Sequence, residues 1–261
     1  MTNKINYRQI ALCFCVPWFV AYLCLFGIQV KRYDGPVSTA ITVMPVMTLV
    51  LSLLVPAFLL FLTGLVLNKV VQSRLLTYKV ALISIAVLTA LDQGIKWLIM
   101  PMGDAYFPII EVFLYYRGIL NTGHFLNSVG IYPPRLSVFT IPPLWALLHC
   151  VSYRWAKFTG RSTNYLNMAW IFLYAAMLCY VLDSALYGGT YDYIELRGVV
   201  VFDLKDTFAL TALCAVFQGE VYGRSKEDRK KWRDPFGTKY MAYEYGNIRQ
   251  WLRDRNVKGK G

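Results

Sequence analysis

Five aspartates and a lysine stand where ionisable groups are hardest to tolerate. Asp92 and Lys96 lie late in one apolar stretch, and Asp183 lies late in another. Asp192 follows in a short polar segment, and Asp203 and Asp206 open a further apolar stretch. A charge at membrane depth is costly, so each of these groups is a functional candidate. Asp192 and Asp206 have only thirteen residues between them, so the segment carrying Asp192 could fold back over Asp206. Carboxylates a few ångströms apart resist joint ionisation and share one proton. The ionised member can take a proton from water as that water attacks a carbonyl, while the protonated member polarises the carbonyl oxygen. Spacing alone leaves a cation site and a proton path open as well. Local roles are also available. Asp92 and Lys96 are spaced as an i,i+4 pair. Asp203 is placed to cap a helix, and Asp183 to end one at the interface.

The elements that must position these groups are membrane spans. The 261 residues are 57% hydrophobic and only 16% charged, which disfavours one or two soluble domains. About 20 apolar residues cross a bilayer as a helix. Runs of that kind occur near 9–30, 41–67, 80–100, 136–153, 165–187 and 202–222. Backbone polar groups in lipid need internal partners, so these runs are helices. The first follows a short basic start with Lys4 and Arg8, but it is long and no small-x-small cleavage site follows. It reads as a retained anchor.

The net charge of +12 is unevenly spread. If both termini, residues 68–79 and residues 154–164 are cytoplasmic, 20 of the 27 basic residues lie inside, as the positive-inside rule requires. The five aspartates and Lys96 then gather near the outer face. Basic cytoplasmic loops against anionic lipid account for the charge, so no nucleic-acid partner is expected. The six cysteines sit in or beside apolar runs without a C-x-x-C pair, and there are two histidines. Neither a metal site nor a disulfide framework is expected.

Three parts follow: a two-span N-terminal hairpin (1–79), a four-span unit (80–222) and a basic, aromatic tail (223–261). Pro45 and Pro56 fall in the second span, where a kink is expected. The tail is expected to lie on the inner membrane surface or to contact a protein there. Residues 101–135 carry YFPIIEVFLYY, whose aromatic and β-branched residues suggest strands or a surface helix. Residues 188–201 read as a Gly-Gly turn and a short strand-like run. The fold class expected is an all-α polytopic membrane protein with about six transmembrane helices and a small extracytoplasmic β-region between spans 3 and 4.

The 80–222 unit resembles lipoprotein signal peptidase (signal peptidase II), a bacterial four-span aspartic peptidase. LDQGIK is similar to that family's Asp-Gln-x-x-Lys signature, and Asn121-Thr122-Gly123 to its Asn-x-Gly turn. VLDSALYGGTYDYIEL is similar to the segment where a late-helix Asp precedes the first catalytic Asp by nine residues, as Asp183 precedes Asp192. VFDLKDTF is similar to the Phe-Asn-x-x-Asp-Ser/Thr signature of the second catalytic Asp. The motifs occur in the family's order over roughly 140 residues.

The resemblance implies cleavage of a prolipoprotein just before its diacylglyceryl-modified cysteine, in the bacterial cytoplasmic membrane, without a cofactor. Partners would be the lipid-modified substrate and membrane lipids. It implies Asp192 and Asp206 as the catalytic pair near the extracytoplasmic face. Asn121 and Gly123 would help hold substrate, Asp92 and Lys96 would support the site, and Asp183 would be a conformational support. Three positions depart from the pattern. Tyr180 stands where the family has Asn, Ser184 where it has Arg, and Asp203 where it has Asn. The departures, with the added spans and tail, keep a second expectation beside the first: a non-catalytic relative that binds lipopeptides or a membrane partner. A small transporter is disfavoured, because its polar groups should run through the membrane depth.

Overall fold

The computed structural model describes residues 7–32, 46–72, 77–121, 137–158 and 163–222, with 245, 246, 248–251 and 253 of the tail. The long helices among them are α1 (Tyr7–Arg32), α2 (Val46–Gln72), α3 (Tyr78–Ile99), α4 (Ser137–Phe158), α5 (Thr163–Tyr187) and α6 (Leu204–Tyr222). A 3-10 turn (Met100–Met102) and strands β1 (Tyr106–Ile110) and β2 (Leu114–Asn121) follow α3. Strands β3 (Thr190–Leu196) and β4 (Val200–Phe202) join α5 to α6. The chain is an all-α polytopic membrane protein with a small antiparallel sheet.

Among the described residues, four helices are long and apolar enough to cross a membrane, over Ile10–Gly27, Val46–Val71, Tyr78–Met102 and Asn164–Tyr187. The expected spans in α4 and α6 fall short of that measure. α4 contains Pro142, Pro143 and His149, and α6 contains Lys205, Asp206 and Glu220. Lipid suits the outer surface: Leu54, Phe58, Leu59 and Val66 of α2 and Ile83, Val87 and Trp97 of α3 are exposed. Such a surface is a liability in water and an ordinary lipid face in a bilayer.

The N-terminal hairpin is packed into the bundle. α1 lies against α2 and α6. Phe14 is fully buried, and a Cβ on Gly64 would meet its ring at 2.6 Å. Small residues let helices approach closely where apolar burial alone gives no advantage over lipid. Trp18 Nε1 donates to Leu53 O at 2.9 Å, and Tyr22 OH bonds Ser52 Oγ at 2.9 Å. Pro56 lies inside α2, whereas Pro45 falls outside the described residues. In the tail, Trp251 meets Trp155 of α4 edge-on with ring centroids 5.8 Å apart.

The expected β-region forms only half of the sheet. Its order is β1-β2-β3-β4, all antiparallel, so the 188–201 segment joins the strands between α3 and α4. Pairing with β3 satisfies the edge of β2 that would otherwise be open. The register sets Asp192 opposite Ile119 and Thr190 opposite Asn121. Tyr106 stacks on Tyr115 and Phe107 on Tyr116, at 5.1 and 4.9 Å, which fixes β1 to β2. Gly188 takes φ 71° just beyond α5, a left-handed helix ending that favours glycine, and turns the chain into β3. α2 supports the sheet: Thr48 Oγ1 donates to Val112 O at 2.9 Å, in the turn between β1 and β2.

Candidate active site

The site is built where α3, α5 and α6 meet β2 and β3. Helical spacing puts Asp92 and Lys96 on one face of α3. Lys96 Nζ lies 2.8 Å from Asp92 Oδ2, and it also reaches Asp183 Oδ2 of α5 and Asp203 Oδ2, each at 2.6 Å. All four side chains are fully buried. Gln93 Nε2 donates to Asp183 Oδ1 at 2.8 Å and to Asp92 Oδ2 at 3.1 Å. The expected local pair is therefore the base of a three-helix ion network. Removing one partner of such a buried network costs about 3–5 kcal/mol.

A second lysine organises the next tier. Lys205 Nζ pairs with Asp203, lies 3.1 Å from Asp192 Oδ1 and lies 3.7 Å from Asp183 Oδ2. Asn121 Nδ2, at the end of β2, donates to Asp192 Oδ2 at 3.3 Å. Asp203 caps α6, as its position in the sequence suggests. The Asp206 N–H donates to Asp203 Oδ1 at 3.2 Å, and the Asp203 N–H donates to Asp206 Oδ2 at 3.3 Å. This reciprocal capping box satisfies two otherwise orphaned backbone donors.

The carboxylate oxygens of Asp192, Asp203 and Asp206 lie within 4.8 Å of one another. One water can bridge such a gap with an ordinary hydrogen bond to each side. Accessibility rises along the cluster: Asp183 and Asp203 are fully buried, Asp192 is 8% exposed, and Asp206 is exposed. Burial pushes the Asp192 carboxyl above its ordinary range, and the Asp203 charge adds to this. Lys205 and Asn121 pull it back down. Burial likewise raises the Tyr193 hydroxyl, helped by the nearby Asp92 and Asp203 charges.

Among the described residues, two aspartate triads have the spacing to hold an ion: Asp92, Asp183 and Asp203, and Asp192, Asp203 and Asp206. In the first, the Lys96 ammonium sits within 2.8 Å of all three members. In the second, the Lys205 ammonium contacts Asp192 and Asp203. The chain's own lysines thus supply cations to both.

The structure brings Asp92, Lys96, Asn121, Asp183, Asp192, Asp203 and Asp206 together. Gly123 lies outside the described residues. Ser184 directs a buried hydroxyl that has no hydrogen-bond partner among the described residues. Sequence reasoning missed Lys205, and it matched Gln93 within the Asp-Gln-x-x-Lys signature without giving it a role. Lys205 stands between Asp203 and Asp206 in FDLKD, and that local charge alternation was the available signal.

The profile of the family described as Signal peptidase (SPase) II matches residues 83–219. Two solved structures are similar to part of the chain. One, described as a bacterial membrane enzyme structure by the in meso method at 2.3 Å, is 16% identical, with a TM-score of 0.44 over 57% of this chain and 93% of the other. The second, described in the same words at 1.9 Å, is 17% identical, with a TM-score of 0.45 over 56% and 96%. No curated protein matches. The family match spans α3 to α6 and takes in every residue of the ion network, so the chain belongs to the signal peptidase II family of membrane peptidases.

Proposed function

We propose that this protein removes the signal peptide of diacylglyceryl-modified prolipoproteins, with Asp192 and Asp206 activating water. The observation that carries the reading is the approach of these carboxylates to within 4.8 Å, with Asp206 exposed. One carboxylate takes a proton from water while the water oxygen bonds the scissile carbonyl carbon. The other gives its proton to the carbonyl oxygen, which yields a neutral gem-diol. On collapse, the newly protonated carboxyl passes its proton to the leaving nitrogen as the C–N bond breaks. The other carboxylate recovers a proton from a diol hydroxyl, and the pair returns to its starting state. No covalent intermediate forms. Asn121 orients Asp192, and Asp92, Lys96 and Asp183 anchor α3 to α5 and α6 behind the pair.

In this reading both termini are cytoplasmic and the sheet lies at the extracytoplasmic face of the bacterial cytoplasmic membrane. Residues 1–79 buttress the 80–222 peptidase unit, and the 223–261 tail holds the inner surface. A substrate with a lipid anchor and an apolar signal helix enters from the bilayer.

The test is a processing assay. Purified protein in lipid cleaves a diacylglyceryl-modified prolipoprotein before the modified cysteine and spares the unmodified precursor. Equal cleavage of both would sink the substrate assignment. One observation favours a second reading, a non-catalytic lipopeptide binder: Lys205 and the capping box already engage Asp192 and Asp206. That reading predicts saturable lipopeptide binding with no cleavage at any pH.

A further inference from the structure

Lys205 is the buried charged residue of the site to which neither the family signature nor the mechanism above gives a role. Its ammonium is 3.1 Å from Asp192 Oδ1 and is also held by Asp203. Among the described residues no ion pair joins it to Asp206, the residue next to it in sequence; it reaches Asp183, Asp192 and Asp203. The direct contacts of the two members are therefore unequal, although the Lys205 charge also acts on Asp206 without touching it. Asp192 accepts from a cation at one oxygen and from the Asn121 amide at the other. Asp206 accepts one backbone N–H at Oδ2. Hydrogen bonds and opposite charge favour the ionised form of the group that receives them.

We propose that Lys205 is a positioning residue that breaks the symmetry of the pair, holding Asp192 ionised as the base and leaving the shared proton on Asp206. This deepens the peptidase reading and rests on it. Asp192 then takes the water proton, and Asp206 donates to the carbonyl oxygen. Asn121 of β2 and Lys205 touch Asp192, Asp203 and Asp206 lie within 4.8 Å of it, and Asp92 and Lys96 of α3 and Asp183 of α5 stand behind them, joined through Lys96 and Lys205. Lys96 already contacts three of the acids, namely Asp92, Asp183 and Asp203. Among the described residues, Lys205 is thus the cation in direct contact with Asp192. It also explains how Asp203 is tolerated where the family has Asn, since the added negative charge arrives with a lysine two residues on.

The experiment compares wild type with Lys205→Met and Lys205→Arg in lipid, by pH–rate profile on the lipidated precursor and by infrared titration of the protonated carboxyl band. Lys205→Met raises the acid limb by about one pH unit or more and lowers the maximal rate, while Lys205→Arg restores the limb. An unchanged limb in folded Lys205→Met overturns the proposal. The infrared arm needs no cleavage: the midpoint of the Asp192 carboxyl band, assigned by its loss in Asp192→Asn, rises in Lys205→Met as the acid limb does. The carboxyl band that persists to the highest pH survives in Asp192→Asn and is lost in Asp206→Asn. The opposite pattern overturns the assignment. Absence of cleavage by wild type would count against the peptidase reading alone, because the infrared arm still decides the role of Lys205.

Discussion

Lys96 of α3 and Asp183 of α5 form an ion pair of 2.6 Å between two fully buried side chains. With Asp92 and Asp203 on the same ammonium, this contact ties three helices together beneath the candidate dyad.

Lys96→Met leaves three buried carboxylates without their shared cation. The expected loss is about 3–5 kcal/mol, read as a lower thermal midpoint in detergent. A midpoint equal to wild type would mean that the network contributes little to the fold.

Gly118 is fixed by the sheet. A Cβ there would lie 2.2 Å from Gly103 O and 2.4 Å from Tyr191 Oη. The first of these is backbone and cannot swing away, so Gly118→Ala displaces β2 and with it Asn121. Overpacking of this kind costs about 1–3 kcal/mol, and the cleavage rate falls with it. A Cβ on Gly94 of α3 would meet nothing within 4 Å. Gly94→Ala is expected to be neutral or stabilising by up to about 1 kcal/mol. Thermal melts of the two variants make the contrast, and equal destabilisation would contradict it.

In the proposed mechanism Asp203 shifts the working pH upward. Its charge adds to burial in pushing Asp192 up, so Asp203→Asn lowers the pH at which Asp192 ionises. The acid limb of the pH–rate profile moves to lower pH. The sign for stability is opposite to that of a paired surface carboxylate. Folded Asp192 binds its proton more tightly than the unfolded chain does. Its contribution is full below the ordinary carboxylate range and is lost as pH rises through the raised value. An acid limb that stays put or moves up in Asp203→Asn contradicts the account.

The hairpin shields Cys214. This thiol is fully buried, and its Sγ lies 3.8 Å from Phe14 O of α1. Gly64→Leu forces the Phe14 ring away from α2 and opens that contact. Mass spectrometry after treatment with a maleimide then shows Cys214 modified faster in the variant than in wild type. Equal rates would mean that α1 does not cover α6.

Much of the site is legible in the sequence because its information is local. The i,i+4 spacing of Asp92 and Lys96 and the placement of Asp203 before an apolar run each point to a contact within a few residues. The motif order supplies the remaining site residues. What sequence hides is long-range. β3 pairs with β2 across some 70 residues, and neither strand's pattern names its partner. Lys205 looks like a span-end charge until α6 is docked against β3 and α5. The six apolar runs are visible, but the polar residues in α4 and α6 leave four, among the described residues, that meet the demands of a span on composition. The support of the sheet by α2, through Thr48, follows from packing and from no motif.

In the proposed reaction Asp192 and Asp206 act together on a lipidated precursor. The most direct measurement is the initial rate of signal-peptide release from a diacylglyceryl-modified prolipoprotein by wild type, Asp192→Asn and Asp206→Asn, each reconstituted in lipid. Wild type is expected to cleave, and each variant to lose about 10²-fold or more in rate. Cleavage at the wild-type rate by either variant, or none by wild type across several precursors and a range of pH, would contradict it.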